Sequence, residues 1–542
     1  MVNLAKCSMR ALTVRYHWLV SKNPIAIDDF GWIFARNCER SEQLRNIGKW
    51  GVSMTLDNNY IRRNAYVSRR SKQRRRQRRV RIIVGIILLL IILAAMVAGV
   101  CFIKQKKGAS DTPLSQETIV EGSRSQTSVS IPSPETATAA ANVPAIAENS
   151  ALNLLLSDAE ALAASYDYDG AIELLKSNTA CAEEIAVKDA IARYEETKAT
   201  LVRVNPGEIT HVFFHSLIMD NSKAFDGDYD SAGYNQVMTT RSEFLKILEQ
   251  MYERGYVLVK MHDIGYEVTT ENGDVKFVAG DIMLPPDKKA FVMSQDDVNY
   301  YEYMEGDGFA RRIIVGEDGK PTCEMVMDDG SISVGAYDLV PLLEDFIAEH
   351  PDFSYKGARA VLAFTGYQGV FGYRTDPEYK DSNPNYEEDC EMVRQVAQCL
   401  RDNGWELASH SWGHINMRDR DFHSVKTDAD KWENRVESLI GETDIILYPF
   451  GADVGDWKPY TMKNEKYKYL YELGFRYFCN VDSSPYWVQI TDESMRQGRR
   501  NLDGYRMYYD LPETNPAKTY LDDLFDVMTV FDPDRPTPVP PM

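Results

Sequence analysis

Cysteine is scarce in this chain: 542 residues hold only 8, dispersed without framework spacing. That excludes a disulfide scaffold and predicts mostly buried free thiols at Cys181, Cys323, Cys390, Cys399 and Cys479, with room for one disulfide among them. Histidine is equally sparse, with 8 in all and none beyond His423. Positive charge is scarce over most of the length. Residues 108–542 hold 39 Lys+Arg against 76 Asp+Glu, whereas residues 1–107 hold 22 against 5, so the net charge of -20 conceals a basic head on an acidic body. A body without clustered Lys and Arg is not built for phosphate contacts, which excludes nucleic acid as its partner.

Long uncharged runs are also rare, and residues 82–103 form a conspicuous one. The run is long enough to cross a bilayer as a helix, and the Arg-rich stretch before it outweighs Lys104, Lys106 and Lys107 after it. By the positive-inside rule residues 1–81 form a cytoplasmic tail without regular structure, and the long remainder lies outside the cell. The predicted protein is a single-pass cell-membrane protein. Residues 104–150 read as a Ser/Thr/Pro-rich linker that buries too little apolar area to fold. Residues 151–204 take a helical period broken at Tyr168-Asp169-Gly170, which predicts a short helical hairpin or stalk. Residues 533–542 form a Pro-rich tail, expected to be extended and disordered.

Between 205 and 532 strands and helices alternate. Strands are predicted at 209–214, 256–260, 290–293, 358–364, 406–408, 444–448 and 477–481. Helices are predicted at 242–252, 337–350, 387–402, 431–440 and 465–473. That order implies parallel pairing through crossover helices, and so many repeats imply a closed or nearly closed α/β barrel.

The chemistry centres on Ser409-His410-Ser411-Trp412-Gly413-His414, which follows a strand. Two imidazoles four residues apart, on a first helical turn or in a tight loop, face one way and can share a metal ion. The third ligand is sought in Ser294-Gln295-Asp296-Asp297, an apolar strand ending in two carboxylates. If that strand runs on through the pair, Asp296 and Asp297 point to opposite faces, so one ligates while the other acts as base. Asp328-Asp329-Gly330 is a rival acidic pair, but its surroundings read as a hairpin turn. His211 and His215 lie about 13 Å apart on a strand, too far to share a metal, so only one of them belongs at the site. Gly366-Tyr367-Gln368-Gly369-Val370-Phe371-Gly372-Tyr373-Arg374 reads equally as a sugar-stacking loop or as a loop packed by its own aromatics.

From about 205 to 532, roughly 60 % of the chain, the sequence resembles the polysaccharide deacetylase family, the NodB-homology domain of carbohydrate esterase family four. The stretch ending Phe291-Val292-Met293-Ser294-Gln295-Asp296-Asp297 is similar to its first motif. Gly404-Trp405-Glu406-Leu407-Ala408-Ser409-His410-Ser411-Trp412-Gly413-His414 is similar to its second. Tyr448-Pro449-Phe450-Gly451 resembles the third, with Leu447 where an Arg often stands, and Val481-Asp482-Ser483-Ser484-Pro485-Tyr486-Trp487 resembles the fourth. His215 stands in a Phe-His-Ser like the Tyr-His-Ser that often opens the domain. The resemblance implies a distorted (β/α) barrel and a divalent metal, zinc being the expected ion, on Asp297, His410 and His414. It further implies Asp296 as base, and His215, Tyr448, Pro449, Phe450, Asp482 and Trp487 around the substrate. The family's late general-acid histidine has no counterpart here, and Asn501-Leu502-Asp503-Gly504-Tyr505 lies where it is expected. The expected function is a membrane-anchored, extracellular, metal-dependent hydrolase removing acetyl groups from envelope polysaccharide or peptidoglycan. The alternative is a weak or inactive relative that binds glycan or organises the envelope.

Overall fold

The structure, a computed structural model, describes residues 143–516 and 519–542. The basic head, the apolar run at 82–103 and most of the linker lie outside the described residues. Among the described residues no helix is long and apolar enough to cross a membrane.

Three helices come first: α1 (Val143–Ala164), α2 (Tyr168–Ser177) and α3 (Ile185–Lys198). The expected hairpin is thus a three-helix unit, and α1 begins inside the segment read as linker. Its Pro144 sits in the first turn, where a missing N–H costs nothing. The break falls at Ser165–Asp167 rather than at Gly170, because Tyr166 takes a left-handed φ of 67° and the Asp167 carboxylate caps α2. Ala159, Ala171, Leu175, Val187 and Tyr194 close the small core between these helices. Tyr166 ties the unit to the rest by stacking on Tyr355 and donating to the Asp352 carbonyl.

The remainder is a closed barrel of seven parallel strands, β1 (Thr210–Phe214), β2 (Lys289–Gln295), β3 (Val361–Phe364), β4 (Glu406–Ser409), β5 (Ile445–Leu447), β6 (Tyr477–Val481) and β7 (Met495–Asn501). Each strand pairs with the next in sequence, and β7 returns to β1 with Arg500 opposite Val212 and Asn501 opposite Phe213. Five helices fill the crossovers: α4 (Arg241–Glu253), α5 (Leu339–Glu349), α6 (Tyr386–Asp402), α7 (Phe422–Trp432) and α8 (Glu465–Glu472). Between β6 and β7 a short antiparallel strand, Val488–Ile490, replaces the helix. Strand alternation sorts the core into two layers. Val292, Val361, Ala363, Ala408, Leu447 and Cys479 fill the barrel, while Phe291, Met293, Leu362, Leu407, Ile446 and Phe478 meet the helices.

Two expectations about strands change. Tyr256–Leu258 is a strand but not a barrel stave; it pairs with the start of β2, below the point where β3 joins. The stave that replaces it is β7, unpredicted because its inward residues, Met495, Gln497 and Arg499, alternate with Arg496 and Arg500 and leave no apolar stripe. α7 also begins nine residues earlier than the predicted helix at 431. Asp328-Asp329-Gly330 forms the turn of an exposed hairpin between Pro321–Val326 and Ile332–Gly335, with Gly330 at φ 83°. All five cysteines among the described residues are free.

The Pro-rich tail is ordered. Val539 is fully buried, Tyr509 donates to its carbonyl, and Gln236 donates to the carbonyls of Pro540 and Pro541. Composition pointed to disorder because prolines carry no ladder donors. The tail instead offers its carbonyls as acceptors.

Candidate metal centre

The site lies where the strands end. β2 stops at Gln295, and Asp297 takes a left-handed φ of 57°, so the two carboxylates do not alternate across the sheet. Both turn toward the mouth, and the difference between them comes from their partners. Asp296 receives a two-pronged ion pair from Arg499, Nη1 to Oδ1 at 2.6 Å and Nη2 to Oδ2 at 3.0 Å. Burial works against the charge on Asp296, but Arg499 and then His410 prevail and hold its carboxyl far below the usual range. Asp297 faces His414, Oδ2 to Nε2 at 3.7 Å, while its Oδ1 accepts 2.6 Å from the Tyr301 hydroxyl. Burial again opposes the charge, but the neighbouring imidazoles, His414 foremost, hold the Asp297 carboxyl below its usual range.

His410 ends the turn out of β4. Its Nδ1 lies 2.6 Å from the Leu447 carbonyl at the end of β5. A carbonyl only accepts, so Nδ1 carries the proton and Nε2 keeps its lone pair for a metal. The segment from His410 to His414 is a loop rather than a helix, bent by left-handed Ser411 and His414. It is held by the Asp428 carboxylate of α7, which accepts from the backbone N–H of Trp412 at 2.9 Å and of Gly413 at 2.8 Å. Burial pushes His414 down to about 4, against the pull of Asp297, so at neutral pH the imidazole is in the form a metal binds.

One donor atom from each of Asp297, His410 and His414 lies within 4.8 Å of the others. Two imidazole nitrogens and one carboxylate oxygen, each oriented by a second hydrogen bond or a neighbouring charge, fit a divalent ion with open coordination positions. Zinc suits such a donor set.

Around the three ligands the structure sorts the other predicted residues. His215, at the end of β1, is half-buried, and its Nδ1 lies 3.0 Å from the Val237 carbonyl, which leaves Nε2 free. Phe214 lies opposite Gln295, and Gln295 Nε2 donates to the His215 carbonyl at 3.3 Å, which places His215 beside Asp296 at the same mouth. His211 lies deeper, buried inside the barrel between Gln497 and Ser294, and burial drives it well below the usual imidazole range. Phe450 is 65 % exposed at φ 59° and stacks edge-on against His414, with centroids 4.5 Å apart. Tyr448 and Pro449 are buried; the Tyr448 hydroxyl meets that of Tyr460 in the outer layer, so this residue supports the wall from behind. Asp482 accepts from Ser484 N, and Trp487 packs at right angles to Trp457. Both also lie along β7, Asp482 N donating to the Arg499 carbonyl at 2.8 Å and the Trp487 carbonyl accepting from Gly498 N at 2.9 Å, and neither meets the three ligands. In the glycine-rich loop after β3, Phe371 and Tyr373 are buried and Tyr367 stacks on Tyr301, so the loop is packed largely by its own aromatics.

Arg499 went unnoticed in the sequence. An arginine is missed at Leu447, and the one that reaches the acidic pair comes from β7, two strands away. No residue pattern around Met495-Arg496-Gln497-Gly498-Arg499 marks it.

Comparison with solved structures finds the deacetylase PplD of Streptococcus pyogenes, solved in complex with acetate, at 11 % identity over 61 % of this chain and 100 % of that one, with a TM-score of 0.30. It also finds the BpsB deacetylase domain of Bordetella bronchiseptica, at 14 % identity over 54 % of this chain and 96 % of that one, with a TM-score of 0.29. No family model and no curated protein matches the chain. Both solved structures are deacetylases; at these scores, what this site does has to be argued from its own geometry.

Proposed function

We propose that the chain is a metal-dependent deacetylase of acetylated polysaccharide, tethered to the cell membrane by residues 82–103 with the barrel outside. One observation carries the reading: Asp297, His410 and His414 converge on one point while an ionised Asp296 and a half-buried His215 face the same mouth. An ion on the three ligands would supply a Lewis acid and lower the pKa of a water. Asp296, fixed by Arg499, takes the proton of the attacking water. His215, its Nδ1–H held by the Val237 carbonyl, presents Nε2 to the leaving group. A protonated Nε2 gives its proton to the departing amine nitrogen as the carbon–nitrogen bond breaks, leaving acetate and a free amine. The group that supplies the late proton thus comes from the first strand of the barrel. Phe450 covers one side of His414 and limits water there.

The alternative, a domain that binds glycan without turnover, has one observation in its favour. A carboxylate held as far down as Asp296 is a weak base. The test is acetate release by the zinc-loaded protein from N-acetylated chito-oligosaccharide, acetyl-xylan and peptidoglycan, compared with His410→Ala. Metal-dependent release lost in the variant supports the deacetylase. Metal bound without acetate from any substrate supports the binder, and no metal bound at all removes both readings.

A further inference from the structure

The tail is connected to the site. His215 Nδ1 meets the carbonyl of Val237, the last residue of the short helix Ser231–Val237. The backbone on either side of Val237 is gripped by one guanidinium. Arg535 Nη1 donates to the Asn235 carbonyl at 3.0 Å, and Nη2 donates to the Met238 carbonyl at 3.1 Å. The same group is anchored on Glu243 of α4, with Nε to Oε1 at 2.9 Å and Nη2 paired to Oε2; both side chains are fully buried. Asn235 Nδ2 in turn donates to the Pro536 carbonyl at 2.8 Å. The space has been kept for this grip. A Cβ on Gly504 would come within 2.2 Å of the Asn235 carbonyl oxygen and 2.3 Å of Arg535 Nη1.

We infer that Arg535 and the tail around it are a positioning device for His215, holding the Val237 carbonyl where it fixes the Nδ1–H tautomer and so keeps Nε2 turned to the leaving group. The inference rests on the proposed role of His215 as proton donor. Its physical basis is the planar fork of arginine, which meets two carbonyls and a carboxylate at once; a lysine ammonium cannot span them in one geometry. With the fork gone, the helix end from Asn235 to Met238 loses three hydrogen bonds to Arg535, and the ring of His215 is free to rotate or change tautomer.

The test uses the full-length chain with zinc bound and four variants: Arg535→Lys, Glu243→Gln combined with Arg535→Met, a chain ending at Thr537, and His215→Ala. The double variant removes the buried charge pair as a unit and avoids an orphaned Glu243; the shortened chain keeps Arg535 and loses only the outer contacts. Two substrates separate proton donation from general damage. An N-acetylated chito-oligosaccharide has an amine leaving group that needs a proton, and 4-nitrophenyl acetate has a phenolate that does not. We expect the double variant to lose about tenfold or more in kcat on the amide with little change on the ester, since general acid catalysis contributes on the order of 100-fold or more. Arg535→Lys is expected to restore less than half of the loss, and the shortened chain to fall between it and the native protein. Equal losses on both substrates, or no loss on the amide, overturn the inference. If His215→Ala itself leaves amide turnover intact, the proposed role of His215 fails instead, and the two failures are told apart. Nitrogen-15 spectra of labelled histidine read the tautomer whatever the turnover. A His215 signal of the Nδ1–H form in the native chain that becomes mixed in the double variant supports the inference, and an unchanged signal overturns it.

Discussion

At the scale of single residues, the pair Asp296–Arg499 shows how a charge is kept inside a barrel. Both side chains are almost wholly buried, and the guanidinium also lies over the Phe213 ring. Removing one partner strands the other, so Arg499→Met is expected to destabilise the fold by about 3–5 kcal/mol, measured by urea unfolding. Replacing the pair together by Asn and Met should recover much of that loss while abolishing activity. Phe450 makes the opposite case. It is a bulky residue in a left-handed conformation, largely exposed, and it packs on His414. Phe450→Asn should raise stability by about 1 kcal/mol, because asparagine tolerates that conformation, and should lower turnover. A variant both less stable and fully active would contradict that account of the residue. His410, His414 and Asp297 could be picked out as candidates because His and Asp are common ligands of divalent ions, the two histidines lie four apart, and the carboxylates end an apolar strand. Arg499 was not, because its partner is contributed by a strand some two hundred residues earlier and its neighbours carry no period.

At the scale of elements, the loop from His410 to His414 depends on the middle of α7. Asp428 accepts two backbone N–H groups of that loop while burial pushes its own carboxyl up to about 6. Asp428→Ala should weaken metal binding by about 10- to 100-fold, the usual range for a group that orients ligands. Competition with a chelator reads this directly, and unchanged affinity would show that the loop holds itself. Most of the elements could be read in advance because their buried faces are apolar: α6 and β6 were placed within a residue of where they lie. β7 could not, since its inward side chains Gln497 and Arg499 meet His211 and Ser294, a polar patch beside the aliphatic filling supplied by the other strands. A strand that faces a polar interior on one side and charged partners on the other has no hydrophobic signature. The tail carries no pattern for a related reason, since it is held by Arg535, by Val539 and by the carbonyls of Pro536, Pro540 and Pro541.

At the scale of the whole molecule, the end of the barrel opposite the metal is fastened by His262. Its Nδ1 pairs with Glu406 at the start of β4, and its Nε2 lies 3.0 Å from Asp444 just before β5. Burial opposes the charge, but the two carboxylates, Glu406 foremost, raise the imidazolium pKa to about 10. A raised pKa means that the folded state holds the proton more tightly than the unfolded chain. The clasp therefore contributes in full below the ordinary imidazole pKa of 6.5 and is lost progressively as pH climbs toward 10. His262→Gln should lower the melting temperature at pH 6 and have little effect above pH 10; a difference that grew with pH would reverse the sign of this account. His262 is partly exposed, so the effect is modest and sensitive to salt.

The seam between β7 and β1 brings His215 and Arg499 to the same mouth, although nearly three hundred residues separate them. Seen in time rather than in space, this orders the birth of the site. On a ribosome, the strands that carry Asp297, His410 and His414 emerge well before residues 495–501. A growing chain can thus gather its metal ligands while Asp296 still has no counter-charge and His215 has no tail to hold its carbonyl. On the proposed reading, chemistry is the last property the chain acquires, once the final stave has docked against the first and the tail has closed over it.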